Sequence, residues 1–245
     1  MPCVFAEAGM EHAKEHGTTF EQFAKISVKN HHHSTMNPKA MYQIETPLDE
    51  VMNAEMISYP NTKLMCSVNV DGSAAAVLVS EKKAKELGMA RAVKVRASAM
   101  ASDPYTDRDL VMPDVNACTR LAAKDAYEQA GIGPEDVNLV ELHDCFATAE
   151  MLHYENLGLC KDGEAGKMID EGHVNLGGKV PVNVSGGLLS KGHPLGATGI
   201  ANIYEICTHL RGEAGKRQVE GARIGMTHVI GLGTACGIHI LEKTS

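Results

Sequence analysis

The chain has 245 residues, of which 44% are hydrophobic and 22% are charged, and its net charge is −8. This composition is typical of globular domains and excludes disorder over the whole length. The acidic balance, without any basic stripe, argues against nucleic acid or an anionic membrane surface as a partner of the whole chain.

The first third of the sequence predicts helices joined by loops. Helices are expected at 3–16, at 48–57 and at 81–88. Another begins near residue 20, where Thr18 or Thr19 can cap the helix N-terminus. The apolar run at 74–80 predicts a strand that is buried on both faces.

From residue 92 onward, strand and helix patterns alternate. The strands are expected at 92–100, 137–142, 179–184, 222–233 and 236–243, and the helices at 114–131, 147–158 and 197–212. The alternation predicts a layered α/β domain with helices packed on a sheet and a closing pair of strands. We place a domain boundary there, which divides the chain into residues 1–91 and 92–245.

Cysteine usage and the N-terminus bear on the compartment. The seven cysteines are irregularly spaced, so they do not predict a disulfide framework. Neither a secretory signal nor an apolar run long enough to span a bilayer is visible. We expect reduced thiols, no membrane span and a cytoplasmic location.

Three consecutive histidines, His31–His33, raise the question of a metal site. Adjacent side chains on a helix point about 100° apart, so a site made of three successive residues is improbable. We expect these histidines to form a solvated helix end, and no metal site is predicted from the sequence.

The stretch "HDCF" directly follows the apolar run "VNLVEL". Cys145 is therefore expected at a strand-to-helix turn, where the helix dipole lowers the pKa of a thiol. A lowered pKa suits a nucleophile or a proton shuttle and predicts a reactive thiol. A free cysteine can also be small apolar filler. The neighbours His143 and Asp144 favour the functional interpretation.

The stretch "SGGLLSKGHPLGATG", residues 185–199, surrounds His193 with glycines and Pro194. Glycine permits close backbone approach to a ligand, and proline fixes the backbone after the histidine. A lone histidine is more often structural, but this setting predicts an imidazole that points at a reacting atom. The glycine-containing loop "GLGTACG", residues 231–237, is a weaker signal.

Both stretches, together with "RGEAGKRQVEGA", resemble the thiolase superfamily, and in particular its sterol-carrier-protein-2 type. "AGMEHAKEHGTT", "AKISVKNHHHSTMNP" and "DGSAAAVLVSE" resemble the middle region of the same family, so the resemblance runs from residue 3 to the end. It implies a thiolase-like layered α/β fold. The chain would comprise a C-terminal βαβαβαββ domain, part of the loop region and the end of the N-terminal domain.

The resemblance also implies an activity, that of an acyl-CoA acyltransferase in lipid metabolism. Such an enzyme cleaves 3-oxoacyl-CoA with coenzyme A or runs the reverse condensation, with coenzyme A as a substrate and no permanently bound cofactor. Cys145 is implied as the general acid/base at the α-carbon. His193 is implied to activate the nucleophile and hold the thioester oxygen, and His143 to contribute to an oxyanion hole. Contacts to the substrate or coenzyme A are implied for Gly192, Ser185, Gly186 and Gly233.

The sequence departs from the family pattern at two places. Val229 stands where other thiolases carry the cysteine of a Cys-x-Gly motif, and Cys236 is expected in the core. The acylated cysteine of the family lies further upstream, and neither Cys3 nor Cys66 resembles its surroundings. We therefore expect a thiolase without its nucleophile region, either a fragment or split gene or a relative that no longer performs full thiolysis, which forms a homodimer or assembles with an N-terminal thiolase half. The strand at 74–80 would then lack its sheet partners, and we expect its apolar side chains at an open, exposed edge.

Two other functions stay open at this point. An aldolase-like relative would cleave steroid side-chain acyl-CoAs, but such relatives alter the "HDCF" and "GHP" motifs that are intact here. The other is a non-catalytic module for acyl-CoA or lipid, whose ligand binding would not change on substitution Cys145→Ala. The intact motifs favour thiolase chemistry.

Overall fold

The computed structural model describes residues 1–102, 114–231 and 234–244. Its helices are α1 (Pro2–His16), α2 (Phe20–Thr35), α3 (Leu48–Asn53), α4 (Glu81–Glu86), α5 (Val115–Ala130), α6 (Ala147–Asn156), α7 (Ala165–Asp170) and α8 (Thr198–Leu210). Its strands are β1 (Met56–Ser58), β2 (Asn61–Thr62), β3 (Val93–Ser102), β4 (Leu139–Glu141), β5 (Ile224–Gly231) and β6 (Ala235–Lys243).

Local signals in the sequence place the helix ends. Helix α1 ends at Gly17, whose φ of 75° is in the left-handed region that glycine tolerates best. Helix α2 begins after Thr19, whose side chain and that of Gln22 each accept from the other residue's backbone N–H. The cap is therefore Thr19 and not Thr18.

The main sheet has four strands in the order β3-β6-β5-β4. Strands β4 and β5 are parallel, while β3, β6 and β5 pair antiparallel, so the predicted closing pair of strands is confirmed. The predicted strand at 179–184 is reduced to one bridge between Val182 and Val140. Pro181 lies inside that run and has no N–H to donate to a longer ladder.

Both faces of the sheet are covered. Helix α5 packs against β3 and β6, and α8 packs against β5 and β4. Adjacent residues on a strand point to opposite faces, and on β6 Ile240 belongs to the larger core cluster while Leu241 belongs to the smaller one. This is the layered α/β architecture that the sequence predicts.

One hydrophobic core extends across residue 91. Phe5, Phe23 and Ile26 are buried in the same cluster as residues of the sheet and of α6. Helix α1 packs so closely on α6 that a Cβ at Gly9 would lie 2.7 Å from Thr148 Cγ2. The domain boundary after residue 91 stays a prediction, and helices α1 and α2 before it share their core with the part after it.

The prediction of a strand at 74–80 was wrong, whereas the expected exposure of its apolar side chains is observed. Residues 70–80 have no helix or strand, and the side chains of Val77 and Leu78 are 85% and 82% exposed. An apolar run forms a buried strand only beside partner strands, and no strand in the described part of the chain pairs with this one. The run is instead an exposed apolar segment.

None of the helices in the described ranges has both the length and the apolarity that crossing a bilayer requires.

Candidate active site

The two motif loops meet at the end of β4. His143 lies just after β4, and His193 lies before α8. The two imidazole rings stand edge to face, with centroids 5.0 Å apart and planes at 83°. Both side chains are buried. The structure therefore brings together two of the residues that the sequence singled out.

A third segment, residues 66–69, lies between the two loops. The Ser67 N–H donates to the Cys145 carbonyl at 2.9 Å, and the His193 N–H donates to the Val68 carbonyl at 2.7 Å. Bridges join Cys66 to the residue after Cys145 and Asn69 to His193. Sequence reasoning missed this segment, because backbone bridges leave no side-chain signature.

The hydroxyl of Thr198 determines the tautomer of His193. It lies 2.8 Å from His193 Nδ1 and donates to the Pro194 carbonyl at 3.1 Å. A hydroxyl has a single hydrogen, so Nδ1 must carry a proton and donate to Thr198. The lone pair then resides on Nε2. Burial, followed by the charge of Lys191, lowers the pKa of His193. A neutral imidazole with a free Nε2 can accept a proton.

His143 is neutral as well. Burial, helped by His193 and His153, lowers its pKa to about 3. Its backbone N–H donates to His228 Nδ1 at 3.3 Å. Its own Nδ1 is buried and has no hydrogen-bond partner among the described residues. Buried polar atoms are nearly always paired, so an unpaired ring nitrogen at this position is available for a ligand oxygen.

The thiol of Cys145 behaves differently from the sequence expectation. Burial raises its pKa above the usual range for a thiol, and the neighbouring Asp144 raises it further. The prediction of a lowered pKa was therefore wrong for the structure as described, and the reactivity of this thiol in an assembled enzyme stays a prediction. Backbone N–H groups at residues 145 and 146 do favour the thiolate, but desolvation outweighs them. The thiol is protonated at neutral pH.

Asp144 positions the loop that carries His193. Its carboxylate accepts from the N–H groups of Leu188 and Leu189 at 2.7 and 3.2 Å. Asn30 of α2 donates to the same carboxylate at 2.9 Å. Burial and the nearby Glu150 raise the pKa of Asp144. Asp144 thus joins α2, the "HDCF" loop and the turn at 187–191.

A buried ion pair between Lys29 and Glu150 lies next to these loops. Lys29 Nζ lies 2.7 Å from Glu150 Oε1 and donates to the Val182 carbonyl at 2.8 Å. Asn183, which has a φ of 53°, donates to Glu150 Oε2 at 2.9 Å, and Tyr154 donates to Oε1 at 2.6 Å. The Lys29 ammonium thus has two acceptors, and both Glu150 oxygens accept hydrogen bonds, which offsets the cost of burying this ion pair.

Ser185 is buried and bound to Glu141. Its hydroxyl and its N–H donate to the two Glu141 carboxylate oxygens at 2.6 and 3.0 Å. Gly186 has a φ of 100°, and a Cβ there would lie 2.5 Å from Ser34 Cβ. Packing alone thus explains both residues, and their contact with substrate or coenzyme A stays a prediction.

Gly192 has a φ of 115°, and a Cβ there would lie 2.7 Å from Val70 Cγ2. It therefore allows the segment around Val70 to pack against the loop of His193. Its contact with coenzyme A also stays a prediction. Gly233 lies outside the described residues.

The sequence and the fold of this chain match those of known proteins. The family model described as "Thiolase C-terminal domain-like" matches residues 103–243, which is more than half of the chain. The chain belongs to the thiolase superfamily. The resemblance read from the two motifs is thereby confirmed.

Two similar thiolase-superfamily sequences show how much of a longer protein is matched. Sterol carrier protein 2 from Oryctolagus cuniculus is 46% identical over 98% of this chain and 45% of its own length. An acetyl-CoA acetyltransferase from Methanothermobacter thermautotrophicus is 43% identical over 99% of this chain and 63% of its own length. The chain thus spans less than half the length of the sterol carrier relative.

Two solved structures have the same fold as this thiolase chain. An "Ltp2-ChsH2(DUF35) aldolase" matches with a TM-score of 0.84 at 24% identity, over 99% of this chain and 64% of its own. A monomeric SCP2-thiolase-like protein from Mycobacterium smegmatis matches with a TM-score of 0.70 at 18% identity, over 100% of this chain and 52% of its own. These likenesses confirm the thiolase-like α/β fold.

The histidine run does not form a solvated end in this thiolase chain. His31 and His33 are buried, and only His32 is exposed. His33 lies with Nδ1 3.1 Å from the Asn183 carbonyl and accepts from the Leu176 N–H at Nε2, and burial lowers its pKa to about 3. The prediction was wrong because α2 packs two of these side chains against the loop that carries the "SGG" glycines.

Burial also raises the pKa of two other thiols, those of Cys66 and Cys236. Cys66 lies beside the "HDCF" loop, but its Sγ donates to the Thr62 carbonyl at 3.3 Å, and burial raises its pKa to about 11. Cys236 is fully buried in the core, as expected, and burial raises its pKa to about 12. Cys3 is exposed on α1.

Proposed function

We propose that this chain is an acyl-CoA acyltransferase of the thiolase class that acts in lipid metabolism. The observation that carries the proposal is the edge-to-face pair of His143 and His193, joined through residues 66–69 to Cys145. Similarity to an acetyl-CoA acetyltransferase and to sterol carrier protein 2 supports the same class.

The proposed roles follow from the protonation states. Carbon–carbon cleavage of a 3-oxoacyl-CoA leaves an enolate that must receive a proton at its α-carbon. The protonated Cys145 thiol can supply that proton, and in the condensation direction the resulting thiolate can remove one. Neutral His143 has an unpaired ring Nδ1 that can donate to a thioester oxygen as charge develops on it, and His193 can donate from Nε2 once that atom has taken up a proton.

His193 has a second proposed role, because Nε2 is free to accept a proton. Thr198 holds the ring in that tautomer. The proton would come from the nucleophilic thiol that takes up the acyl group. In the family pattern that thiol lies in the N-terminal region, and the bonded thiol of Cys66 does not substitute for it.

Coenzyme A enters this proposal as a substrate, held in part by Gly192, Ser185, Gly186 and Gly233, with no permanently bound cofactor. We also propose a homodimer or an assembly with an N-terminal thiolase half. The exposed apolar side chains of Val77 and Leu78 support an assembly, because such patches commonly mark interaction surfaces.

A second candidate is an aldolase-like lyase that acts on steroid side-chain acyl-CoAs. The fold neighbour described as an aldolase favours it, although this likeness concerns the fold alone. A retro-aldol cleavage of a 3-hydroxyacyl-CoA would also use a proton donor at the α-carbon, but it needs no acylated cysteine.

Product analysis by mass spectrometry distinguishes the two. The purified chain is incubated with a 3-oxoacyl-CoA and free coenzyme A, alone and after mixing with the N-terminal region of a sterol carrier protein 2 relative. We expect two shorter acyl-CoA thioesters, at least in the mixture. Release of an aldehyde or ketone from a 3-hydroxyacyl-CoA, without thiolysis, would instead establish the lyase. Binding of acyl-CoA without either product would indicate a non-catalytic module.

A further inference from the structure

Two histidines and a glutamate meet on the surface between α1 and α6, in addition to the site described above. His12 and His16 are four residues apart on α1 and therefore share one face of the helix, with ring centroids 4.7 Å apart. Glu155 of α6 reaches the same point, 2.9 Å from His12 Nε2. One possible ligand atom from each of the three lies within 4.8 Å of the others.

The surroundings of these residues resemble the outer shell of a metal site. The Nδ1 atom of His12 is 2.8 Å from Thr18 Oγ1, so its N–H can donate there while Nε2 faces an ion. The N–H groups of Gly163 and Ala165 donate to Glu155 Oε1 at 2.9 and 3.2 Å. These bonds fix a ring and a carboxylate that are both buried.

The cluster has room and access for an ion. A cavity of about 200 Å³ adjoins it, and its lining includes all three residues and the acidic side chains of Glu15 and Asp162. His16 is partly exposed on the solvent side. Water can therefore occupy coordination positions that the protein leaves open.

We propose that His12, His16 and Glu155 bind a divalent transition-metal ion of the zinc type. Two imidazoles and one carboxylate are a ligand set that suits such an ion better than Mg²⁺ or Ca²⁺, which prefer oxygen ligands only. An ion at this point would bind between His12 Nε2 and the Glu155 carboxylate, which now lie 2.9 Å apart. The ion fastens α1 to α6, the helix that follows the "HDCF" motif.

The sequence contains a signal for this site that is separate from the triple histidine run. The letters "HAKEH" place two histidines one helical turn apart. Side chains at this spacing can bind one ion, whereas those of consecutive histidines diverge.

Titration of the metal-free chain with Co²⁺, followed by visible absorption, tests the proposal. The variant His16→Ala removes a partly exposed ligand, and His32→Ala removes an exposed histidine on α2 as the matched control. We expect one equivalent of bound Co²⁺ with a four- or five-coordinate spectrum, at least tenfold weaker binding by His16→Ala and unchanged binding by His32→Ala. We expect Zn²⁺ to raise the melting temperature of the wild-type chain and of His32→Ala by similar amounts, and that of His16→Ala by less.

Three results would contradict this metal site. Equal affinity of His16→Ala and the wild-type chain would overturn the site, as would the absence of binding. A sulfur-to-cobalt charge-transfer band would place the ion on cysteines and would also overturn it.

Discussion

The ring of His143 stands edge-on to the ring of His193, with centroids 5.0 Å apart. Burial lowers the pKa of both, and His193 further lowers that of His143. Two neutral imidazoles can occupy this pocket together, whereas two charged ones would repel each other. The pair thus offers hydrogen-bonding groups without a fixed charge.

Replacing Thr198 by Val should impair catalysis without unfolding the chain. The Nδ1 proton of His193 would lose its acceptor, and the ring could then turn or change tautomer. Loss of one such bond corresponds to about 1–3 kcal/mol, or roughly five- to 160-fold in rate. Steady-state kinetics should show the loss mainly in kcat, and Thr198→Ser should restore it. Equal kinetics for the Val and Ser variants would remove Thr198 from this role.

Thiol labelling of the native chain should favour Cys3 over Cys145. Cys3 is exposed, whereas Cys145 is buried and its pKa is raised by that burial. Brief treatment with iodoacetamide, followed by peptide mass spectrometry, gives the order, and labelling in urea serves as the control for unfolded thiols. Faster alkylation of Cys145 in the native chain would mean that its thiol is more open and more acidic than in the structure.

Lys29→Met should destabilise the fold strongly. It leaves the Glu150 carboxylate buried without its cation, which costs about 3–5 kcal/mol. Lys25→Met, on the same helix, removes an outer salt bridge with Asp170 and should cost less than about 1 kcal/mol. Urea unfolding of both variants provides the comparison. Similar losses for the two would show that the buried pair has no special weight.

Buried histidines should make the fold sensitive to acid. Burial lowers the pKa of His153 from 6.5 to about 3, and neither of its ring nitrogens has a described partner. Below pH 6.5 the unfolded chain binds a proton that the native chain does not. The free energy of unfolding therefore decreases as the pH is lowered from 6.5 to about 3. Each such histidine contributes up to about 1.4 kcal/mol per pH unit.

The variant His153→Leu tests this assignment. It should flatten the decline of the unfolding free energy between pH 6.5 and 4.5, whereas the exposed His32→Ala should leave the slope unchanged. Chemical denaturation at several pH values provides the slopes. An unchanged slope in His153→Leu would show that this ring is accessible to protons in the native chain.

The segment at 70–80 should be the first point of cleavage and a point of association. Limited proteolysis should cut within 70–91 and leave α1 and α2 bound to the sheet, because they share its core. The double variant Val77→Ser, Leu78→Ser should reduce self-association seen by analytical ultracentrifugation. Release of α1 and α2 after cleavage would contradict the shared core.

Periodic and turn signals in the sequence predicted much of the fold. Helix α5 lies where its pattern and Gly131 place it, and β5 and β6 pair as the two closing strands. The run at 74–80 shows the limit of this reasoning. Its apolar letters are compatible with a buried strand, but burial depends on partners that the run itself does not specify.

The sequence predicted which residues meet at the site, but not the surroundings that determine their pKa values. His143 and His193 come together as the motifs suggested. The helix-dipole argument for Cys145 counted one local effect, while the larger effect, desolvation, depends on how distant segments cover the thiol. Residues 66–69 make their contacts through backbone atoms, which almost any sequence can provide.

The proposed function requires that Cys145 move a proton at the α-carbon of an acyl-CoA beside His143 and His193. Exchange of the α-protons of acetyl-CoA in D₂O, followed by NMR, measures this step without acyl transfer to a nucleophile. We predict exchange by the wild-type chain, a loss of about 10²-fold or more in Cys145→Ala, and no loss in Cys207→Ala, a half-buried thiol on α8. Exchange that persists unchanged in Cys145→Ala would contradict the account.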